Sequence, residues 1–225
     1  MDPTRYPRVK ICCISSVEEA QMAVAFGASA LGLVSDMPSG PGVIPEERIA
    51  EIVSIIPPGV SSFLLTSKTD AALIIDQQRR VRVNTIQLVD AVPKATYNEL
   101  RIALPGILLV QVIHVSGENS IQEARSVAPH VDALLLDSGN PKLPRKELGG
   151  TGRIHDWSIS RRIRDAVAKP IFLAGGLSAQ NVGEASRQVA PFALDVCSGV
   201  RTNGKLDEEK LSAFIEQLSN LQKTN

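Results

Sequence analysis

Two residues in this chain stand where acid–base chemistry is done, at the C-terminal ends of short apolar runs. Cys12 closes Val9-Lys-Ile-Cys12, and Asp137 closes Ala133-Leu-Leu-Leu-Asp137. A thiol with a lowered pKa accepts protons, and a carboxyl in apolar surroundings donates one. Two further runs end on small residues: Gly175-Gly176 follows Ile171-Phe-Leu-Ala174, and Ser198-Gly199 follows Ala193-Leu-Asp-Val-Cys197. Glycines there let backbone N–H groups approach an anion, and a helix N-terminus beyond adds its positive end, which reads as a phosphate cradle. Plainer readings stand beside these. A lone cysteine is often a small buried hydrophobe, a strand-end Asp often caps a loop, and either glycine pair alone could simply make a tight turn. The two pairs together favour phosphate. If strand alternation continues through residue 14, Lys10, Cys12 and Ile14 share one face and Ile11 and Cys13 the other, so only one cysteine should face the site. His114, His130 and His155 lack ligand-type spacing, and no metal site is expected.

These residues need a frame that brings run ends together. Strand-like segments fall at 9–14, 30–34, 61–65, 85–88, 107–115, 133–136, 171–174 and 193–197, and helix-like segments at 17–26, 46–56, 70–80, 97–104, 121–127, 157–167, 181–189 and 208–221. Continuous apolar strands alternating with amphipathic helices predict buried parallel strands joined by helical crossovers. Eight such units of about 28 residues each predict an α/β fold, a single (β/α)8 barrel (TIM barrel) over 1–225 with an N-terminal extension at 1–8. A doubly wound open sheet is the structural alternative. Ser16 with Glu19 has capping-box spacing, Asp156 and Asp207 precede helices as N-caps, and Gly27 ends the first helix. The longest irregular stretch, 137–155, follows the sixth strand, where a long loop in a compact barrel is more often functional than idle. Lys10 and Asp195 lie within apolar strands one and eight, neighbours in a closed barrel, and are expected to pair inside it in a structural role.

Composition limits the partners. The 225 residues carry 24 Lys+Arg against 24 Asp+Glu, for a formal net charge of zero, which argues against nucleic-acid binding. With 44% hydrophobic residues, disorder is excluded. Three cysteines cannot form a disulfide framework. No signal core opens the chain, and no run approaches the ~18 apolar residues of a membrane span. The expectation is a cytoplasmic, reduced protein acting on a small phosphorylated molecule, with no apolar patch that decides between monomer and homodimer.

Eight segments in order carry a family resemblance: Val9-Lys-Ile-Cys12, Gln87-Leu88, Leu135-Leu-Asp137, Gly149-Gly-Thr-Gly152, Asp156-Trp157, Leu173-Ala-Gly-Gly-Leu177, Asn181-Val182 and Asp195-Val-Cys-Ser-Gly-Val200. Together they resemble the phosphoribosylanthranilate isomerases of tryptophan biosynthesis, (β/α)8 enzymes. The resemblance implies an Amadori rearrangement of an N-(5-phosphoribosyl) aromatic amine, with Cys12 as general base, Asp137 as general acid and no cofactor. It places the phosphate on Gly175, Gly176, Ser198 and Gly199, and substrate contacts at Gln87, Gly150, Thr151 and Gly152. Three positions depart from the family pattern. Cys13 stands in place of a Gly, Gly42 in place of the Arg that binds the anthranilate carboxylate, and Val89 in place of a His. Arg153 is the candidate to compensate. The Gly42 and Val89 changes leave open the same chemistry on another phosphoribosyl-amine, and a non-catalytic barrel that binds a sugar phosphate.

Overall fold

In the computed structural model, which describes residues 7–38, 40–139 and 153–223, eight parallel strands form a closed barrel in sequence order. The strands are β1 (Arg8–Ile11), β2 (Ala30–Val34), β3 (Ser61–Thr66), β4 (Thr85–Leu88), β5 (Leu108–His114), β6 (Ala133–Asp137), β7 (Ile171–Leu173) and β8 (Ala193–Val196). Helices α1 (Val17–Ala25), α2 (Glu46–Ile55), α3 (Ala71–Val81), α4 (Lys94–Ala103), α5 (Asn119–Val127), α6 (Trp157–Ala166), α7 (Val182–Val189) and α8 (Glu208–Lys223) follow them in turn. The open-sheet alternative is excluded because β8 pairs with β1, with Lys10 opposite Asp195 and Ile11 opposite Val196. A short antiparallel hairpin, β9 (Arg201–Thr202) and β10 (Lys205–Leu206), precedes α8.

Strand alternation divides the apolar residues between two cores. Ile11, Leu31, Leu33, Leu64, Ile86, Leu134 and Leu194 point outward and pack under the helices, among them Ile52, Ile74, Leu100, Ile163 and Phe214. Ala30, Phe63, Val110, Val112, Leu135, Phe172 and Ala193 point inward and fill the barrel. Both strand faces are buried, so the strands read in the sequence as unbroken apolar runs.

The helix starts follow their caps. The Ser16 hydroxyl accepts from the Glu19 N–H at 3.2 Å, and the Asp156 carboxylate accepts from the Ser158 N–H at 2.8 Å. Helix α4 begins at Lys94, three residues before the predicted start, because Pro93 opens it and its first turn lacks apolar periodicity. Among the described residues, no helix is long and apolar enough to cross a membrane.

Lys10 and Asp195 form an ion pair in the barrel interior, as expected from the two strand-borne charges. Lys10 Nζ lies 2.9 Å from Asp195 Oδ1, with side chains 0% and 7% exposed. The ammonium also stands 5.3 Å from the Phe63 ring centroid. Burial alone would depress the lysine's pKa, but the Asp195 charge and the thiols of Cys12 and Cys13 outweigh it and keep Lys10 protonated. Removing one partner strands the other charge in a low-dielectric interior. Asp195→Asn is therefore expected to cost about 3–5 kcal/mol of unfolding free energy in urea titrations, whereas a cost below about 1 kcal/mol would contradict the pair's closing role.

Candidate active site

The C-terminal strand ends bring together Cys12, Asp137, Gln87, Gly175-Gly176 and Ser198-Gly199. Strand β1 stops at Ile11, so side-chain alternation does not continue through the two cysteines. Cys13 adopts φ 63°, a left-handed conformation uncommon outside glycine, and its side chain turns inward. Both cysteines consequently belong to the buried interior cluster, contrary to the expectation that only one would face the site.

Glycines make room for these thiols. A Cβ on Gly32 would lie 2.8 Å from Cys12 Sγ and 3.0 Å from Lys10 Nζ, so sulfur and ammonium both come close to the bare backbone of β2. A Cβ on Gly42, itself at φ 77°, would come within 2.5 Å of Cys13 Cβ. No side chain fits at 42 while Cys13 keeps this conformation, which links two of the departures seen in the sequence. The Cys12 thiol is held below the ordinary cysteine range by a hydrogen bond with the Cys13 thiol and, against the opposing effect of burial, by the Lys10 ammonium. Cys13 is pushed in the opposite direction by its hydrogen bonds with Cys12 and Cys197 and by burial.

A second buried ion pair holds the backbone of this turn. Arg201 Nη1 donates to Glu19 Oε1 at 2.9 Å, and Nη2 donates to the carbonyl oxygens of Cys12 at 3.2 Å and Cys13 at 2.6 Å. Glu19 also accepts from the backbone N–H groups of Ser15 and Leu206, at 2.9 and 2.8 Å. The capping-box spacing thus leads Glu19 to Ser15 and to a distant arginine rather than back to Ser16. Sequence reasoning missed Arg201. Its one signal was a charge immediately after the apolar end of the β8 turn.

Across the barrel, Asp137 ends β6 opposite His114 of β5 and is 8% exposed. Its Oδ1 accepts from the Ser138 N–H at 2.7 Å. A Cβ on Gly175 would lie 3.0 Å from His155 Nδ1 and 3.2 Å from Asp137 Oδ1. Gly175, at φ 83°, therefore leaves open the space where imidazole and carboxyl face each other. The Nε2 of His155 lies 2.7 Å from Ser160 Oγ, and its buried Nδ1 has no hydrogen-bond partner among the described residues. Burial lowers the histidine's pKa despite the nearby carboxylates of Asp137 and Asp156, so the ring is neutral at pH 7. His155, read in the sequence only as a poor metal ligand, is thus part of the site. Gln87 Oε1 is also buried without a hydrogen-bond partner among the described residues, an acceptor of the kind a bound ligand satisfies.

The remaining predicted residues divide. Gly176 lies at φ 64°, and the β7 turn is held by Asn181, whose Nδ2 donates to Gly176 O at 2.9 Å. Ser198 and Gly199 form the short 3-10 turn Ser198–Val200 after β8. A Cβ on Gly199 would lie 2.0 Å from the Leu177 carbonyl, so this glycine is required where the β7 and β8 turns pack together. Gly150, Thr151 and Gly152 lie outside the described residues.

Fold and site together define the class: a (β/α)8-barrel protein with a thiol, a carboxyl and glycine turns gathered at the C-terminal mouth, where barrel enzymes carry their chemistry. The sequence profile of the family described as N-(5'phosphoribosyl)anthranilate (PRA) isomerase matches residues 9–217. The chain is 35% identical to N-(5'-phosphoribosyl)anthranilate isomerase of Methanocella arvoryzae, over 94% of this chain and 97% of that one. It is 37% identical to isomerase 2 of Methanosarcina mazei, over 95% and 94%. The crystal structure of the Thermotoga maritima phosphoribosyl anthranilate isomerase superposes with a TM-score of 0.80 at 32% identity, covering 95% of this chain and 99% of that one. A structure of the isomerase in complex with reduced 1-(o-carboxyphenylamino)-1-deoxyribulose 5-phosphate superposes with a TM-score of 0.78 at 30% identity, covering 95% and 99%. The chain belongs to the N-(5'-phosphoribosyl)anthranilate isomerase family, and it is an isomerase.

Glu19 provides a pH test of the arginine clamp. Burial alone would raise its pKa, but hydrogen bonds from Arg201, Leu206 and Ser15 reverse this and leave it below the ordinary 4.5. A depressed carboxyl contributes stability above its unfolded pKa and loses it as pH falls through the folded value. Wild-type stability should therefore decline as pH drops below about 4.5. Glu19→Gln should be less stable at pH 7 by about 3–5 kcal/mol, with a flatter acid limb in urea titrations.

Proposed function

We propose that the chain isomerises N-(5-phosphoribosyl)anthranilate to the corresponding 1-deoxyribulose 5-phosphate, with Asp137 as general acid and Cys12 as general base. The observation that carries this reading is the pairing at one barrel mouth of a thiol held acidic by Cys13 and Lys10 with a strand-end carboxyl across from it.

Asp137, as the general acid, passes a proton to the furanose ring oxygen. The C1–O bond breaks, and the amine lone pair forms a C1 iminium. The Cys12 thiolate then removes the proton on C2, and the C2–H electron pair becomes the C1–C2 double bond as the iminium pair returns to nitrogen. The resulting enolamine becomes the ketone when C1 takes a proton and the C2 hydroxyl gives one up. C1 is reduced as C2 is oxidised, so the reaction balances without an external electron carrier. His155 beside Asp137 is neutral, so no full positive charge from it faces the acid.

The phosphate is assigned to the backbone of Gly175-Gly176 and Ser198-Gly199, where two neighbouring turns meet. The chain has no net positive charge to draw in an anion, so local N–H donors must supply the attraction. Gln87 offers its unpartnered Oε1 to a substrate hydroxyl or amine, and Gly150, Thr151 and Gly152 are assigned further substrate contacts.

One observation favours a second reading, the same chemistry on a different phosphoribosyl-amine. Cys13 blocks any side chain at residue 42, so the position where the resemblance expects a carboxylate-binding Arg carries none.

The test generates phosphoribosylanthranilate in situ and follows the decay of its fluorescence. Wild-type turnover is expected, with kcat reduced by about 10²–10⁴ in Cys12→Ser and in Asp137→Asn and smaller changes in KM. Wild type that turns over other phosphoribosyl-amines but not this one would establish the second reading.

A further inference from the structure

The proposed isomerisation uses one of the three cysteines, and the structure places the other two together. We propose that Cys13 and Cys197 are a site of reversible two-electron oxidation that takes a hydroperoxide or a small-molecule disulfide and closes a disulfide between the ends of β1 and β8. The two sulfurs stand 2.6 Å apart although 184 residues separate them in sequence. All three cysteines are free thiols in this structure. A disulfide requires a sulfur separation of about 2.05 Å, so about half an ångström of side-chain adjustment brings the sulfurs to bonding distance.

The surroundings favour this pair over the alternatives. Cys197 is half-buried and Cys13 buried, so Cys197 meets the oxidant first. The turn that presents Cys13 is fixed by Arg201 on its carbonyl and by Gly42 behind its Cβ. It therefore holds the second sulfur in place instead of letting it swing away.

With a hydroperoxide, the Cys197 sulfur takes one oxygen to become a sulfenic acid, and the other oxygen leaves as water or an alcohol. Cys13 then attacks the Cys197 sulfur, the S–S bond forms, and the hydroxyl leaves as water with the Cys13 proton. The two thiols have lost two electrons and two protons, and one peroxide bond has been reduced. With a small disulfide, Cys197 first forms the mixed disulfide and releases one thiol, and Cys13 displaces the second.

The consequence for turnover rests on Cys12 being the base. Cys13 locked in a disulfide no longer presents a thiol to Cys12, and the Cys13 thiol is the leading influence holding Cys12 acidic. Cys197 also directly precedes Ser198-Gly199, so the bond tethers the assigned phosphate turn to β1.

The purified chain is treated with hydrogen peroxide, its remaining thiols are alkylated, and unreduced peptides are mapped by fragmentation mass spectrometry. The expected result is a cross-link between Cys13 and Cys197 with Cys12 alkylated. Isomerase activity should fall by about ten-fold or more and return with dithiothreitol. Cys197→Ala should keep basal activity and resist the peroxide. Recovery of both Cys13 and Cys197 as alkylated thiols, a cross-link to Cys12 instead, or equal sensitivity of wild type and Cys197→Ala would overturn the proposal. A Cys13–Cys197 cross-link that leaves activity unchanged upholds the oxidation site and counts against Cys12 as the base.

Discussion

The Lys10–Asp195 ion pair joins the architecture to the chemistry. It sits where β8 closes on β1, the last seam of the barrel, with Lys10 opposite Asp195 in register. Two charges in an apolar interior are costly to desolvate and hard to separate once paired, so the seam has one well-defined arrangement. The same ammonium and Cys12 Sγ both come close to Gly32. One side chain therefore both fixes the barrel's closure and favours the thiolate at its mouth.

A second layer of control surrounds it. Arg201 reaches from the end of β8 to the carbonyls of Cys12 and Cys13, and Glu19 at the start of α1 neutralises it. The β1 turn is thus gripped by charges from the helix that follows it in the chain and from a hairpin far along the sequence. This grip accommodates a left-handed Cys13, which places a thiol donor next to Cys12 and a second sulfur next to Cys197. The bare backbone at Gly42 is part of the same arrangement. Substitutions at residues 13 and 42, far apart in sequence, are one change in space.

The barrel was legible because strands buried on both faces read as apolar runs and helices as periodic stretches between them. The interior ion pair was legible for the same reason, since charges inside such runs have few partners available. Cys12, Asp137 and the two glycine turns were legible as strand-end residues, although the structure gives Gly175 and Gly199 steric reasons beyond anion binding. Cys13 was misread because strand alternation was carried past Ile11, where β1 ends. Arg201 and Glu19 were hidden because their pairing spans 182 residues. His155 was hidden because only folding brings it to Asp137, across the bare Cα of Gly175. Local pattern reveals elements and strand-end chemistry, whereas contacts between separate turns emerge only in three dimensions.

Closing this barrel places Cys12 among groups that make it an acidic thiol while its neighbour Cys13 becomes a poor one. Residue-resolved alkylation of the reduced chain across pH, read by fragmentation mass spectrometry, measures this directly. Cys12 modification is expected to reach its plateau below the ordinary thiol range near pH 8.5, with Cys13 modified only well above it. Cys12 and Cys13 titrating together at the ordinary thiol pKa would contradict it.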